Sequence, residues 1–425
     1  MKKIILLLAN AFILASSFAQ VENKELSTLV KNSFTYFPKF KELEQTVLIN
    51  EAKIDVINTS RSPIINATTS LNYLAPVNEF MFGGTNIKIN PNFNYNINAS
   101  GSYVLYDFGT LKQNVEKAKI ELTSTKHNID AAKLQIAYQI ANIYYGIIYT
   151  KNNIIIQDNV LAYLYEIQKD IRIKIKLGVA LEFDNLTIQA SVDQELNKKV
   201  DLENILSKQE NLLQYFSGDK IINETKFNFI SSSKNVKEFL SQAKAQSVEY
   251  ILQNDKIKIA EAEKKITALQ NKPSIMLNAA TGFRNGFVPS LYDFRFNYLA
   301  GIGLSVPIYN GGRIKKNLLV NESMIKLQTL TLNSMDSSFK KDYNQIKIDI
   351  SSAKQRLQNV EGQIVQAAAA KDLAQIRFKN GIGTNLELLN AITNTQKAAA
   401  AKLQYDYQLC LANVEMAKLG GLVFW

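Results

Sequence analysis

The sequence predicts a mixed membrane α+β fold, in which long α-helical coiled-coil elements follow the strands of a transmembrane β-barrel shared between chains, and the whole plan is internally duplicated. Three observations carry this expectation: a repeat in tandem, strands that alternate with period two, and proline-free stretches with a helical period. The repeat is read from paired motifs. Tyr106-Asp107-Phe108-Gly109 corresponds to Tyr309-Asn310-Gly311-Gly312, and Gly109 and Gly312 lie 203 positions apart. Ile173-Lys174-Ile175-Lys176-Leu177-Gly178 corresponds to Ile376-Arg377-Phe378-Lys379-Asn380-Gly381, again at an offset of 203. Upstream, Glu51-Ala52 and Pro63 match Glu261-Ala262 and Pro273 at an offset of 210, so the first copy carries a loop seven residues longer. A unit of roughly 200 residues used twice is a repeat architecture.

Residues 1–19 read as an export signal: Lys2 and Lys3, an apolar run from Ile4 to Leu14, and Ser17-Phe18-Ala19 as a small-x-small cleavage site. The first repeat is expected over 20–205, with a helix, a β-hairpin at 64–106, a long helix at 109–176, a tip and a return helix. A less patterned connecting segment fills 206–255. The second repeat covers 256–405, with its hairpin at 274–308 and its long helix at 312–379, and 406–425 form a C-terminal segment. No run of 18 apolar residues follows the signal, so any membrane span is expected from strands. Cys410 is the only cysteine, which excludes an intrachain disulfide. The formal charge is +11; the lysines alternate with Asp and Glu along helical segments, and an exported chain makes nucleic acid an improbable partner.

The strands follow from alternation. From Phe93 to Leu105 one face reads Phe93, Tyr95, Ile97, Ala99, Gly101, Tyr103 and Leu105, and the other Asn94, Asn96, Asn98, Ser100, Ser102 and Val104. The second copy sets Phe296, Tyr298, Ala300, Ile302, Leu304 and Val306 against Asn297, Gly301, Gly303 and Ser305. Shorter alternating stretches precede each, at Ile65–Tyr73 and Ile275–Phe283. Four strands per chain result, with a small, uncharged polar face suited to a wet lumen: Asn94, Asn96, Asn98, Ser100, Ser102, Asn297 and Ser305. Aromatic residues gather towards the loop ends, as in an interfacial girdle. Four strands cannot close a barrel, which needs about eight, so the barrel is expected to be shared between chains.

After each hairpin the period becomes helical, starting at the strand-to-helix junctions Gly109 and Gly311-Gly312. About 65 residues without proline make a rod of about 100 Å, with Gly146 and Gly362 as candidate breaks. Both rods end at a glycine, Gly178 and Gly381, with basic residues just ahead, and a second helix follows. Asp184 and Glu387 fall in its first turn, where negative charge is stabilised.

Hairpin, rod, glycine tip and returning helix, duplicated, resemble the TolC-like outer-membrane efflux family. The segments that carry the resemblance are Ser102–Gly109, Gly303–Gly312, and Arg377-Phe378 through Gly381 to Leu389. The resemblance implies a homotrimer with twelve strands in one barrel and twelve helices in one periplasmic tunnel. It implies a place in the cell outer membrane, with outer-membrane lipid around the barrel. It also implies docking of the tips to a periplasmic adaptor (membrane fusion) protein linked to an inner-membrane pump or a secretion ATPase. The function implied is the exit duct of a tripartite efflux or type I secretion system. At the tip, the family's carboxylate ring falls on Glu387 and its second position on Asn390, while the link acid falls on Asp184. The link partners fall on Phe378 and Gly383, so the family's polar lock is not reproduced.

No enzyme is expected. His127 is the sole histidine and lies in the first rod, no metal-ligand cluster is apparent, and Gly311-Gly312 lacks the Lys-Ser/Thr of a phosphate loop. No cofactor is expected. The alternative is a periplasmic coiled-coil adaptor or scaffold, which accounts for the rods but not for four charge-poor strands.

Overall fold

A computed structural model describes residues 23–220, 222–229 and 235–425. The export signal expected at 1–19 lies outside the described residues. Eight helices and six strands follow along the described chain: α1 (Lys24–Tyr36), α2 (Pro38–Thr59), β1 (Ile64–Tyr73), β2 (Glu79–Phe82), β3 (Thr85–Lys88), β4 (Phe93–Tyr106), α3 (Thr110–Lys176), α4 (Glu182–Ser217), α5 (Val236–Gln246), α6 (Val248–Leu269), β5 (Ser274–Arg284), β6 (Arg295–Ser305), α7 (Arg313–Lys379) and α8 (Asn385–Leu419). They divide into two compact units. One holds the residues up to Phe40 with Ala132–Ser247 and Ser338–Trp425; the other holds Lys41–Ala131 and Val248–Ser337.

The first unit is helical and is built on a buried stripe. Asn23 caps α1 by accepting the Leu26 N–H at 3.1 Å, and Leu26, Leu29, Val30 and Ser33 fall on one face at three-four spacing. That face packs on Ile140, Tyr144, Ile147 and Ile148 of α3 and on Cys410, Val414 and Ala417 of α8. The Tyr144 hydroxyl donates to Glu25 at 3.0 Å, and Tyr145 donates to the Asn228 carbonyl. Burial pushes both phenols up, and it pushes the Cys410 thiol up as well. Nearer the tips a second apolar cluster joins Leu164, Ile167 and Ile171 of α3 with Ile188 of α4, Phe378 of α7 and Leu388 of α8.

The second unit carries the strands. β1, β4, β5 and β6 form one antiparallel sheet in that order, and β2 and β3 form a separate ribbon. Six strands therefore replace the four expected. The extra pair lies in the longer loop of the first copy, where Gly83 (φ +58°) and Gly84 (φ +85°) make the two-residue turn. β6 stops at Ser305 rather than 308, because Pro307 has no N–H for a ladder. Both long helices are 67 residues and pass through Gly146 and Gly362 without a break. Three-four spacing shows a missing beat at Thr125, yet α3 continues there; its hydroxyl donates to Glu121 and accepts from Asn50 of α2 at 3.1 Å.

The connecting segment at 206–255 is mostly helical: α4 runs on to Ser217, α5 follows, and α6 starts at Val248. Its apolar residues, such as Leu213 and Phe239, are single anchors into the first unit rather than a continuous stripe, which is why the periodicity fades. α8 likewise runs to Leu419, well into the C-terminal segment.

Candidate functional site

Two places gather the residues singled out from the sequence: one face of the sheet and the helical tips. In an antiparallel sheet, residues directly opposite one another point to the same side. The register pairs Thr68 with Asn98, Ser70 with Asn96 and Asn72 with Asn94. It pairs Asn98 with Gly282 and Ser102 with Asn278, then Gly282 with Asn297 and Ser274 with Ser305. Asn94, Asn96, Asn98, Ser100, Ser102, Asn297 and Ser305 thus share one side. Thr68 donates to Asn98 at 2.5 Å across that side.

The opposite side collects Ile65, Ile97, Leu277, Tyr298, Ile302 and Leu304. In a soluble sheet this would be the buried side. Here it is the open one: Ile65 is 73 %, Tyr298 79 % and Ile302 72 % exposed. Neither outer edge, of β1 or of β6, has a partner strand among the described residues. An exposed apolar face with two bare edges is unstable in water and suited to a bilayer with further strands added.

The polar side is not uncharged throughout, a correction to the sequence reading. Arg284 pairs in register with Arg295 and with Asn96, so two arginines stand on it at the loop end. Arg295 meets Asp293 at 3.4 Å, and Arg284 stacks on Phe287 at 4.8 Å. At the same end Asn285 inserts its side chain beside β4, accepting from Tyr95 N–H at 2.8 Å and donating to Phe93 O at 2.6 Å. Strand alternation stops at Phe283, so nothing in the pattern marked these residues.

At the tips, Gly178 (φ +75°) and Gly381 (φ +74°) take the left-handed conformation that ends each long helix. Val179 N–H returns to Lys174 O at 3.0 Å, and Ile382 N–H to Arg377 O at 2.9 Å. Thr384 caps α8 by accepting Glu387 N–H at 3.2 Å. The Asp184 carboxylate is held at its own helix start, accepting Leu181 N–H at 3.2 Å. Glu387 and Asn390 stand one turn apart on an exposed face of α8. Glu387 meets Arg377 at 3.8 Å with both side chains about half exposed; such a pair is worth about 0–1 kcal/mol. A side chain at Gly383 would be tightly packed, since an added Cβ would lie 3.0 Å from Arg377 Cβ and 3.1 Å from Phe378 N.

Phe378 is buried, and it is where the two copies are tied. Lys174 Nζ donates to the Phe378 carbonyl at 2.6 Å and lies 4.0 Å from the centroid of its ring. Asn385 adds a longer contact to the Asp184 carbonyl at 3.4 Å. Lys174 is the repeat equivalent of Arg377, and Asp184 that of Glu387, each at the offset of 203. Arg377 reaches Glu387 within its own copy, whereas Lys174 crosses to the other copy. The sequence reading passed over Lys174; the offset that located the tips could have flagged it, although not its direction. His127, set aside as catalytically inert, meets the buried Asp255 of α6 at 2.6 Å and joins α3 to α6. No helix among the described residues is long and apolar enough to cross a membrane.

The described residues thus combine one antiparallel sheet, apolar on one side and polar on the other, with two helices of 67 residues. Residues 253–422 match the outer membrane efflux protein family, and across its length the chain has the fold of the TolC-like outer-membrane channels, as the resemblance in its motifs implied. The chain is similar to the outer membrane protein VceC of Vibrio cholerae, with 17 % identity, 95 % of this chain and 97 % of that chain covered, and a TM-score of 0.75. It is similar to the CmeC outer membrane channel of Campylobacter jejuni (14 % identity, 94 % and 86 % covered, TM-score 0.73). It is also similar to the open state of the MtrE outer membrane channel of Neisseria gonorrhoeae (18 % identity, 93 % and 89 % covered, TM-score 0.72). No curated protein sequence matches the chain.

Proposed function

We propose that the protein is an outer-membrane efflux channel subunit, the exit duct of a tripartite efflux or type I secretion system. Three copies supply twelve strands to one barrel and twelve helices to a periplasmic tunnel. The observation that carries this reading is the sheet whose apolar side is bare and whose two edges are unpaired. Edge pairing between copies satisfies the backbone groups that a bilayer cannot, and turns Asn94, Asn96, Asn98, Ser100, Ser102, Asn297 and Ser305 towards a common lumen. The tips, around Gly178 and Gly381, are the docking end for a periplasmic adaptor, which connects the duct to an inner-membrane pump or secretion ATPase. Lys174 on Phe378 takes the place of the missing polar lock, and Glu387 with Asn390 faces the tunnel.

The test is the molar mass of the detergent-solubilised mature protein by light scattering, corrected for bound detergent, with fractionation of the cell envelope. A trimer recovered from the outer membrane is expected. A monomer in the soluble periplasmic fraction would refute the reading and favour a coiled-coil scaffold.

A further inference from the structure

Positive charge gathers at one level of the strand-bearing unit. Four junctions join the sheet to its helices there, over residues 60–63, 107–112, 270–273 and 306–316, the second and fourth taking in the first residues of α3 and α7. They carry Arg61, Lys112, Lys272, Arg313, Lys315 and Lys316 against one acid, Asp107. The Asp107 carboxylate is already engaged, accepting the N–H groups of Gly109 and Leu111 at the start of α3. One or two turns further along the helices the charges balance: Lys117 meets Glu263 at 2.7 Å, Lys119 meets Glu116 at 3.0 Å and Lys264 meets Glu322 at 2.9 Å. The six cations therefore form a belt where the sheet meets its helices.

Inside the belt, Arg61, Lys112 and Lys272 converge on a solvent-open cavity of about 510 Å³ whose wall includes Tyr103 and Tyr106. All three cations are exposed, and none makes an ion pair among the described residues. The cavity is lined from the ends of β4 and β5, the two inner strands of the sheet, and not from its outer edges. Cations of both kinds around a cavity with phenol walls favour a phosphate attached to an apolar body: guanidinium and ammonium take the oxygens, and the tyrosines line the start of the apolar part.

We infer that this cavity binds the phosphate of an anionic glycerophospholipid in the periplasm-facing leaflet of the outer membrane. The inference rests on the outer-membrane reading above, which places the apolar side of the sheet in hydrocarbon and its helical end at head-group level. Inorganic phosphate shares the chemistry but lacks the acyl chains that would hold it against the apolar side.

The experiment uses the full-length mature protein, purified, delipidated and placed in nanodiscs of phosphatidylcholine containing a minority of phosphatidylglycerol. Native mass spectrometry counts the lipids retained on release. The wild-type trimer is expected to retain phosphatidylglycerol over phosphatidylcholine by about tenfold, and the Arg61→Gln/Lys112→Gln/Lys272→Gln variant to lose that preference while remaining trimeric. Should the triple variant not assemble, Lys272→Gln alone is expected to reduce the preference by a factor of about three. An intact wild-type trimer without preference, or variants that keep it, would overturn the inference and leave the channel reading standing. Displacement of the lipid by millimolar inorganic phosphate would overturn the lipid assignment in favour of a small-anion site. A wild-type chain that neither enters nanodiscs nor forms trimers would instead sink the outer-membrane reading, and this inference with it.

Discussion

Replacing Lys174 with Met removes the cation that ties the two tips while keeping an unbranched side chain of similar reach. The structure allows the loss to be sized. A hydrogen bond from a charged donor to a carbonyl contributes about 1.5–3 kcal/mol, and a cation over an aromatic ring about 0.5–1 kcal/mol at a partly open site. Fixing the lysine chain opposes these by up to about 2 kcal/mol. The net tie is then about 1–2 kcal/mol, equivalent to a factor of about 5–30 in the equilibrium between closed and opened tips. Amide hydrogen exchange reads that equilibrium directly, because Gly381, Ile382 and Gly383 donate to carbonyls of the last turn of α7. Lys174→Met is expected to speed exchange of these amides by that factor and to lengthen open times in planar bilayers, while Lys174→Arg retains most of the protection. If Lys174→Met leaves exchange at 381–383 unchanged, the lysine is an ornament of the α3 terminus and the tie does not exist.

Three further outcomes follow from the same geometry. Ile302→Arg, on the bare apolar side of the sheet, is expected to lower thermal stability by about 2–4 kcal/mol in a bilayer, the cost at a lipid-facing midplane position; a change near zero would mean that this side faces water. Glu387→Gln is expected to weaken block by multivalent cations in planar bilayers, and unchanged block would remove the carboxylate from the conduction path. The third concerns pH. Burial acts to raise the Glu195 carboxyl, but hydrogen bonds from Lys198, Gln157 and Gln396 outweigh it and hold the group below its ordinary value of 4.5. A depressed folded value means the stabilisation is complete above 4.5 and is lost as pH falls through the lower folded value. The urea midpoint of the wild type is therefore expected to drop more steeply below pH 4.5 than that of Glu195→Gln, and parallel curves would refute the assignment.

What could be read in advance depended on how far each signal reaches along the chain. The long helices lie in the two segments free of proline, because three-four spacing of residues such as Ile136, Ile140 and Ile147 persists over many turns. The faces of the sheet follow from alternation, since a period of two leaves Asn96 and Ile97 no choice but opposite sides. The β2–β3 ribbon escapes the alternation signal because its strands are only four residues each, although Phe82-Gly83-Gly84-Thr85 is a strong local hairpin signal. The belt around Arg61, Lys112 and Lys272 was beyond reach: its members are drawn from both copies of the repeat, and each is an unremarkable surface cation in its own stretch. The Lys174 tie illustrates a different limit. Duplication makes the two tips look equivalent, and only packing of Phe378 into the apolar cluster breaks the equivalence.

The two end strands of the sheet, each with one unpaired edge, also have a genetic meaning. If each channel closes by β6 of one copy meeting β1 of the next, a defect on one of these strands damages a seam that belongs to two molecules. Cells expressing equal amounts of sound and defective chains would then assemble wholly sound trimers in only about one case in eight. Lesions in β1 or β6 would behave as dominant, whereas lesions confined to a self-contained core, such as the packing of α1 on α3, would be recessive and simply remove the chain from the pool.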